Sequence, residues 1–413
     1  MQGSRFGEMV PEEGRSSCHG SAHSYTLRKQ DLPFLPFWVF RMFTFLKKIA
    51  LGLLLILGAA SVLLYSDLES RRVETPRRSR VMRVAVVQQI SIPALDDGMI
   101  GALAALKDRG YSEGDRLTVS KYNAQGDIST GNAIAKEVTS NNFDLILTLS
   151  TVSLQTVANA NRFATPPRRH VFSLVSDPYA AGVGVSRENH LVHPPYMTGV
   201  GTLAPVQAAF ELARRMLPTI RRVGLVWDPS ESNSVVSTKL ARDVCASMGM
   251  TLVEANASNS TEIGDAAASL LARNVEAIWV SPDLVAAHGL DLIVSKAKTA
   301  RIPAFTSIPT SGVSGALFEL GADYQALGRV AGNLAADVLD GRDPAGIPVE
   351  NVLPISLKIN KLALKGLREQ WVLPEDVVER ANVVVDAGGV HTTAAPAAVS
   401  TSGLAVAGNT NGR

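Results

Sequence analysis

The sequence of 413 residues predicts an α/β fold: two doubly wound parallel-sheet lobes with a cleft between them, preceded by one N-terminal hydrophobic helix. Three observations lead there. Between Met82 and Ile308 short apolar runs alternate with amphipathic stretches. The alternation occurs twice, in two halves of similar plan. A single apolar run, 49–66, stands ahead of both.

The first half opens with RVAVVQQ, a β-branched strand, then ALDDGMIGALAALKDRG, where Leu95, Met99, Leu103 and Leu106 fall at helical spacing and Gly110 stops the helix. LTVSKYN, a helix near 129–141, DLILTLS, a helix near 152–163 and HVFSLVSDP follow. The second half runs RRVGLVWDP, a helix over about 233–248, TLVEANA, a helix near 261–273, VEAIWVSPD, a helix near 285–300 and IPAFTSIP. Continuous apolar strands alternating with helices mean parallel sheets covered on both faces. Ligands of open α/β sheets bind outside the carboxyl ends of the strands, here the cleft between the lobes. Lobe 1 is expected over 82–198 and lobe 2 over 199–308. The later strand and helix, about 316–342, are expected to return to lobe 1, and about 346–386 to lobe 2. From Ala387 the chain is rich in Ala, Gly, Thr and Ser and reads as a disordered tail to 413.

Ile49 to Ser66 is an uncharged, mostly apolar run with Lys47 and Lys48 before it and Asp67 after. Its length approaches that of a bilayer span, and its flank fits an export signal. Residues 42–66 are therefore expected to form a signal or anchor helix, which makes the membrane a partner through this segment. Residues 67–81 read as a solvated linker. Residues 1–41 read as unstructured, or as preceding the functional start at Met42.

Composition is that of a folded chain with one greasy segment: 46% hydrophobic, 19% charged, net charge +2. Without a basic run in the folded region no nucleic-acid partner is expected. The two cysteines, Cys18 and Cys245, flank the apolar run and are not expected to form a disulfide framework. No phosphate-binding GxxxxGK[ST] loop, GxGxxG turn after the first strand or GxSxG elbow occurs, and the histidines are scattered. No catalytic residue, metal or cofactor is expected, and the protein is not expected to be an enzyme.

Polar residues at the strand ends are the candidate site. Asp228-Pro229-Ser230-Glu231-Ser232-Asn233-Ser234 follows an apolar strand and opens a helix. Its hydroxyls and unpaired N–H groups suit a carboxylate, or serve only as helix caps. Ser150 and Thr151 stand at the same place in lobe 1. Ser176 and Asp177 end its fourth strand, and Asp283 ends the third of lobe 2. A carboxylate there either meets a ligand ammonium or forms a turn. Trp227 and Trp279 read as core.

Several ordered motifs carry a resemblance: Pro93-Ala94-Leu95-Asp96, Tyr122-Asn123-Ala124-Gln125-Gly126-Asp127, Ser176-Asp177-Pro178, Thr198-Gly199-Val200, Pro229-Ser230-Glu231-Ser232-Asn233-Ser234, Gly321-Ala322-Asp323-Tyr324 and Leu327-Gly328. In this order, from Met82 to Val385, the chain resembles the ABC-transporter substrate-binding family whose better-known members bind tryptophan, tyrosine or phenylalanine, a type I periplasmic-binding fold. The resemblance implies a small-molecule ligand, an amino acid that is aromatic or otherwise hydrophobic, a permease partner and an extracytoplasmic location. It favours Ser150, Thr151, Ser232, Asn233 and Ser234 as ligand contacts and adds Asp323 and Tyr324. Ile92, Leu284 and Ile308 stand where the family often has polar residues, so a more apolar pocket is expected. The alternative reading is a membrane-tethered sensor that passes its closed state to a signalling partner.

Overall fold

The computed structural model describes residues 49–50, 52–63 and 80–393. The chain divides into two compact units, 1–78 and 79–413. In the first unit the described residues, 49–50 and 52–63, are helical and are labelled α1. Among the described residues no helix is long and apolar enough to cross a membrane. The end of the apolar run at 64–66, most of the expected linker, residues 1–48 and the tail from 394 lie outside the described residues.

The second unit holds both lobes. Lobe 1 begins with β1 (Met82–Gln88), α2 (Pro93–Asp108), β2 (Leu117–Asn123), α3 (Ile128–Ser140), β3 (Leu145–Leu149), α4 (Thr151–Asn161), β4 (His170–Val175) and β5 (Met197–Gly201). Lobe 2 follows with α5 (Val206–Met216), β6 (Arg222–Trp227), α6 (Ser232–Ser247), β7 (Thr251–Asn256), α7 (Ile263–Ala272), β8 (Ala277–Val280), α8 (Leu284–His288), α9 (Leu290–Thr299), β9 (Ala304–Thr306) and β10 (Phe318–Ala322). The chain then returns to lobe 1 as α10 (Tyr324–Leu339) and β11 (Glu350–Asn351), and ends in lobe 2 as β12 (Ile355–Asn360), α11 (Glu375–Glu379), β13 (Val383–Asp386) and β14 (Gly389–Thr392).

Lobe 1 is a six-stranded sheet in the order β11-β5-β4-β3-β1-β2, and lobe 2 an eight-stranded sheet in the order β14-β13-β12-β10-β9-β8-β6-β7. All pairs of the first sheet are parallel; β12 and β14 introduce antiparallel pairs into the second. The strands of β3 and β4 are buried along their whole length, as two covered faces require.

The expected boundaries move in four places. β5 pairs with β4, so lobe 1 extends through Gly201. β10 stays in lobe 2, paired with β9 and β12, and only α10 crosses back. The reason is packing: Phe318 of β10 stacks on Phe305 of β9 at 4.8 Å, in a lobe-2 core with Phe210 and Trp279. β11 remains in lobe 1 on β5, so the last crossing to lobe 2 falls between Asn351 and Ile355 rather than near 346. Gly389–Thr392, expected in the tail, pairs with β13.

The helix that returns to lobe 1 docks on α2 at very close range. A Cβ on Gly328 would lie 2.0 Å from the Gly98 carbonyl oxygen, and one on Gly101 2.0 Å from that of Gln325. Glycine lets the two backbones touch there. Ala331 and Ala335 of α10 and Ala102 and Leu106 of α2 belong to the same core. Three connections therefore join the lobes: Gly201 to Val206, Ala322 to Tyr324, and Asn351 to Ile355. Asp323 N donates to Pro354 O at 2.6 Å, tying two of them together.

Candidate functional site

At the carboxyl ends of both sheets lies a small cavity between the lobes, in the position where open α/β sheets bind ligands. Lobe 1 contributes Ile92, Leu95, Ser150, Thr151, Leu174 and Ser176; lobe 2 contributes Asn233, Asp283, Leu284, Ser307 and Ile308; the connections contribute Thr202, Ala322 and Tyr324. Leu284 also lines a wider cleft with Gln89, Asn123, Gln125, Glu231 and His288.

On the lobe-1 wall the abrupt passage from β3 into α4 sets Ser150 as N-cap, its Oγ accepting from Ser153 N at 3.1 Å. Its φ of +134° is a conformation other than glycine rarely adopts, at a cost of about 1–3 kcal/mol. Leu174, at φ +59°, sits where the β4–β5 register shifts. Both strained residues line the cavity, so the backbone is distorted at the two points where it meets the enclosed space. Ser176 N donates to Thr151 Oγ1 at 3.4 Å.

On the lobe-2 wall Asp283 is fully buried. It caps α8 through Ala286 N at 2.6 Å and accepts from Asp228 N at 2.7 Å and Ser234 Oγ at 2.5 Å. Burial pushes its carboxyl above the ordinary range. Glu231 Oε2 accepts from Asn233 Nδ2 at 2.8 Å and Leu284 N at 3.0 Å. Burial, and then the charge of Asp283, push Glu231 up to about 8. Ser307 is held by Trp279, whose Nε1 donates to its Oγ at 3.1 Å. Trp279 is fully buried and Trp227 nearly so, both in the lobe-2 core.

The structure thus brings Ser150, Thr151, Ser176, Asn233, Asp283 and Tyr324 of the expected site residues to one cavity. The other four do not line it. Asp177 forms a turn, accepting from Tyr179 N and Ala180 N, and pairs with Arg187 at 2.5 Å. Asp323 caps α10 through Ala326 N at 2.9 Å. Ser234 is bound to Asp283, and the Ser232 hydroxyl is buried without a partner. Thr202 and Ser307 line the wall and were not expected. Thr202 stands just past β5 and Ser307 just past β9, and neither falls inside a motif that marks it as a site residue. The three apolar departures, Ile92, Leu284 and Ile308, all line the cavity. Cys245 is a buried free thiol pushed up to about 12 by burial; Cys18 lies outside the described residues.

A family model described as ABC transporter substrate binding protein matches residues 83–385. A curated tyrosine-binding protein of Clostridioides difficile is 28% identical over 75% of this chain and 86% of its own length. A Vibrio cholerae structure described as a conserved domain protein is 29% identical with a TM-score of 0.68, covering 74% of this chain and 100% of the other. A structure described as an ABC domain in complex with L-Trp, from Streptococcus pneumonia, is 25% identical with a TM-score of 0.67, covering 74% of this chain and 99% of the other.

Proposed function

We propose that this chain, which belongs to the ABC transporter substrate binding protein family, captures a hydrophobic or aromatic amino acid outside the cytoplasm and presents it to a permease. The observation that carries the reading is the interlobe cavity. Apolar side chains from both lobes enclose it, and hydroxyls, one amide and one carboxylate supply the polar contacts. Such a wall suits an apolar side chain joined to a compact polar head. The tyrosine-binding relative and the L-Trp complex point to the same ligand class.

A ligand touching both walls binds the closed arrangement better than an open one and so shifts the population toward it. Three short connections give the lobes a hinge. The closed face is then the signal read by the permease. The apolar run at 49–66 serves as the export signal or the tether. The family match favours transport over the tethered-sensor reading.

A thermal-shift series with amino acids, nucleobases and sugars tests this. Ligand at a hundred times its Kd stabilises by about 2.7 kcal/mol. The reading expects a rise in Tm with an apolar or aromatic L-amino acid. A rise with a sugar or nucleobase alone would contradict it.

A further inference from the structure

We propose that Asp97 and the loop 309–315 form a strap between the lobes. Asp97 of α2 accepts a hydrogen bond from Ser311 N of lobe 2 only in the closed arrangement, and so raises affinity for a ligand that neither residue touches. Asp97 is thus a positioning residue, and its role rests on the reading above that the lobes close on a small molecule.

The bond runs from Ser311 N to Asp97 Oδ2 over 2.9 Å. Among the described residues it is the one hydrogen bond or ion pair that joins the lobes away from their three connections. Neither partner lines the interlobe cavity. Ile92, Ala94 and Ile308 line both that cavity and a neighbouring groove, which Thr310 and Gly312 line as well. The strap stands beside this groove, on the other side of the cavity wall.

Each partner is fixed within its own lobe. In lobe 1 the two adjacent carboxylates of α2 differ in what they hold. Asp96 accepts from Ser91 Oγ at 2.7 Å and Gln88 Nε2 at 3.2 Å, and so serves lobe 1, whereas Asp97 reaches across to lobe 2. The close backbone contact of α2 with α10 at Gly98 and Gly101 prevents α2 from following a departing loop. In lobe 2 the loop is held by Glu319 of β10, which is 4% exposed. Its Oε2 accepts from Thr310 N at 3.2 Å and its Oε1 from Ser314 Oγ, so Ser311 is held on both sides. Lys358 Nζ donates to Gly312 O at 3.4 Å. Hydrogen bonds fail beyond about 3.5 Å, so an opening of about 1 Å at this point breaks the strap.

A contact made only in the closed arrangement raises the closed fraction and with it the apparent affinity for any ligand that needs closure. An N–H bonded to a carboxylate is charge-assisted. Ser311 is exposed, however, and water competes for both partners. The effect is that of an ordinary hydrogen bond, roughly 2- to 10-fold in Kd.

The test compares the full-length parent with Asp97→Ala, which removes the acceptor, and Asp97→Asn, which retains one. L-Tryptophan, L-leucine, adenine and D-ribose are titrated calorimetrically, dissociation of the tightest probe is timed by stopped flow, and Tm is measured without ligand. Asp97→Ala should weaken that probe roughly 2- to 10-fold, chiefly through faster dissociation, while Asp97→Asn stays closer to the parent. Without ligand the three proteins should melt within about 2 °C of one another, because the strap belongs to the closed form. Equal affinity of the parent and Asp97→Ala overturns the strap, as does an Asn variant as weak as the Ala variant. A ligand-free Tm that falls by more than that range in Asp97→Ala overturns it too, making the bond an ordinary structural one. If only adenine or D-ribose binds the parent, the amino-acid reading fails and the strap is judged with that probe. Binding of no probe overturns both.

Discussion

Ser234 Oγ donates to Asp283 Oδ2 at 2.5 Å, so the first turn of α6 is bound to the capping carboxylate of α8. Both residues are fully buried. Ser234→Ala removes one of the three donors to that carboxylate. Hydrogen bonds to charged groups contribute about 1.5–3 kcal/mol, so unfolding in urea should show a loss of that order. A loss below about 0.5 kcal/mol, the usual range of surface substitutions, would mean that the bond does not hold the wall.

Glu231 makes stability depend on pH. Its folded-state carboxyl stands at about 8 against an ordinary 4.5, so between those values the folded chain holds a proton that the unfolded chain releases. Its contribution is fully present below the ordinary value and is lost as pH rises toward 8. Asp283 and Glu319, also raised by burial, act in the same direction. His170, lowered to about 3 by burial, acts in the opposite one. Glu231→Gln isolates the first group, because both of its hydrogen bonds go to one oxygen that glutamine retains. The Tm difference between this variant and the parent should grow in the variant's favour from pH 5 to pH 8. A constant difference would contradict the assignment.

The contact of α2 with α10 carries a prediction about the packing of lobe 1. A Cβ on Gly328 would stand 2.0 Å from a backbone oxygen of α2, and neither backbone can yield cheaply. Overpacking of this kind costs about 1–3 kcal/mol or more. Gly328→Ala should lower Tm and urea midpoint together. Gly341→Ala lies in open space but at φ +107°; Gly346→Ala, in open space without that backbone constraint, is the control and should be nearly neutral.

Much of the fold was legible because apolar runs such as LILTL and HVFSLV have the length and composition of doubly covered strands. The lobe to which β10 belongs was not legible. FELGA carries no mark of its partner, and only the stacking of Phe318 on Phe305 decides it. The site divides in the same way. Ser150 and Thr151 could be found because an apolar strand turns there directly into a helix. Asp177 and Asp283 look alike in sequence, each beside a proline at a strand end. Asp177 reaches Arg187 and its own turn, whereas Asp283 faces the cavity. That difference depends on where the following loop runs, which local chemistry does not encode. Thr202 and Ser307 were missed for a related reason: a single hydroxyl after a strand is common, and only the three-dimensional wall gives it meaning.

Apolar character of the wall predicts selectivity. Leu284→Asn places a polar side chain on the cavity wall. It should weaken binding of apolar amino acids through loss of buried contact, by roughly 1–3 kcal/mol or about 10- to 200-fold for a change in a hydrophobic pocket. Calorimetric titration of the parent and the variant with L-leucine and L-tryptophan measures it. Unchanged affinity for both would show that Leu284 does not touch the ligand.

The most direct measurement is a crystal structure of the protein grown with the amino acid that raises its Tm most. The account predicts one ligand molecule in the cavity, touching Ser150 or Thr151 from lobe 1 and Asn233 or Asp283 from lobe 2, with its side chain against Ile92, Leu284 and Ile308. A ligand bound only in the wider cleft beside Gln125 and His288, or a cavity that stays empty at saturating ligand, would contradict it.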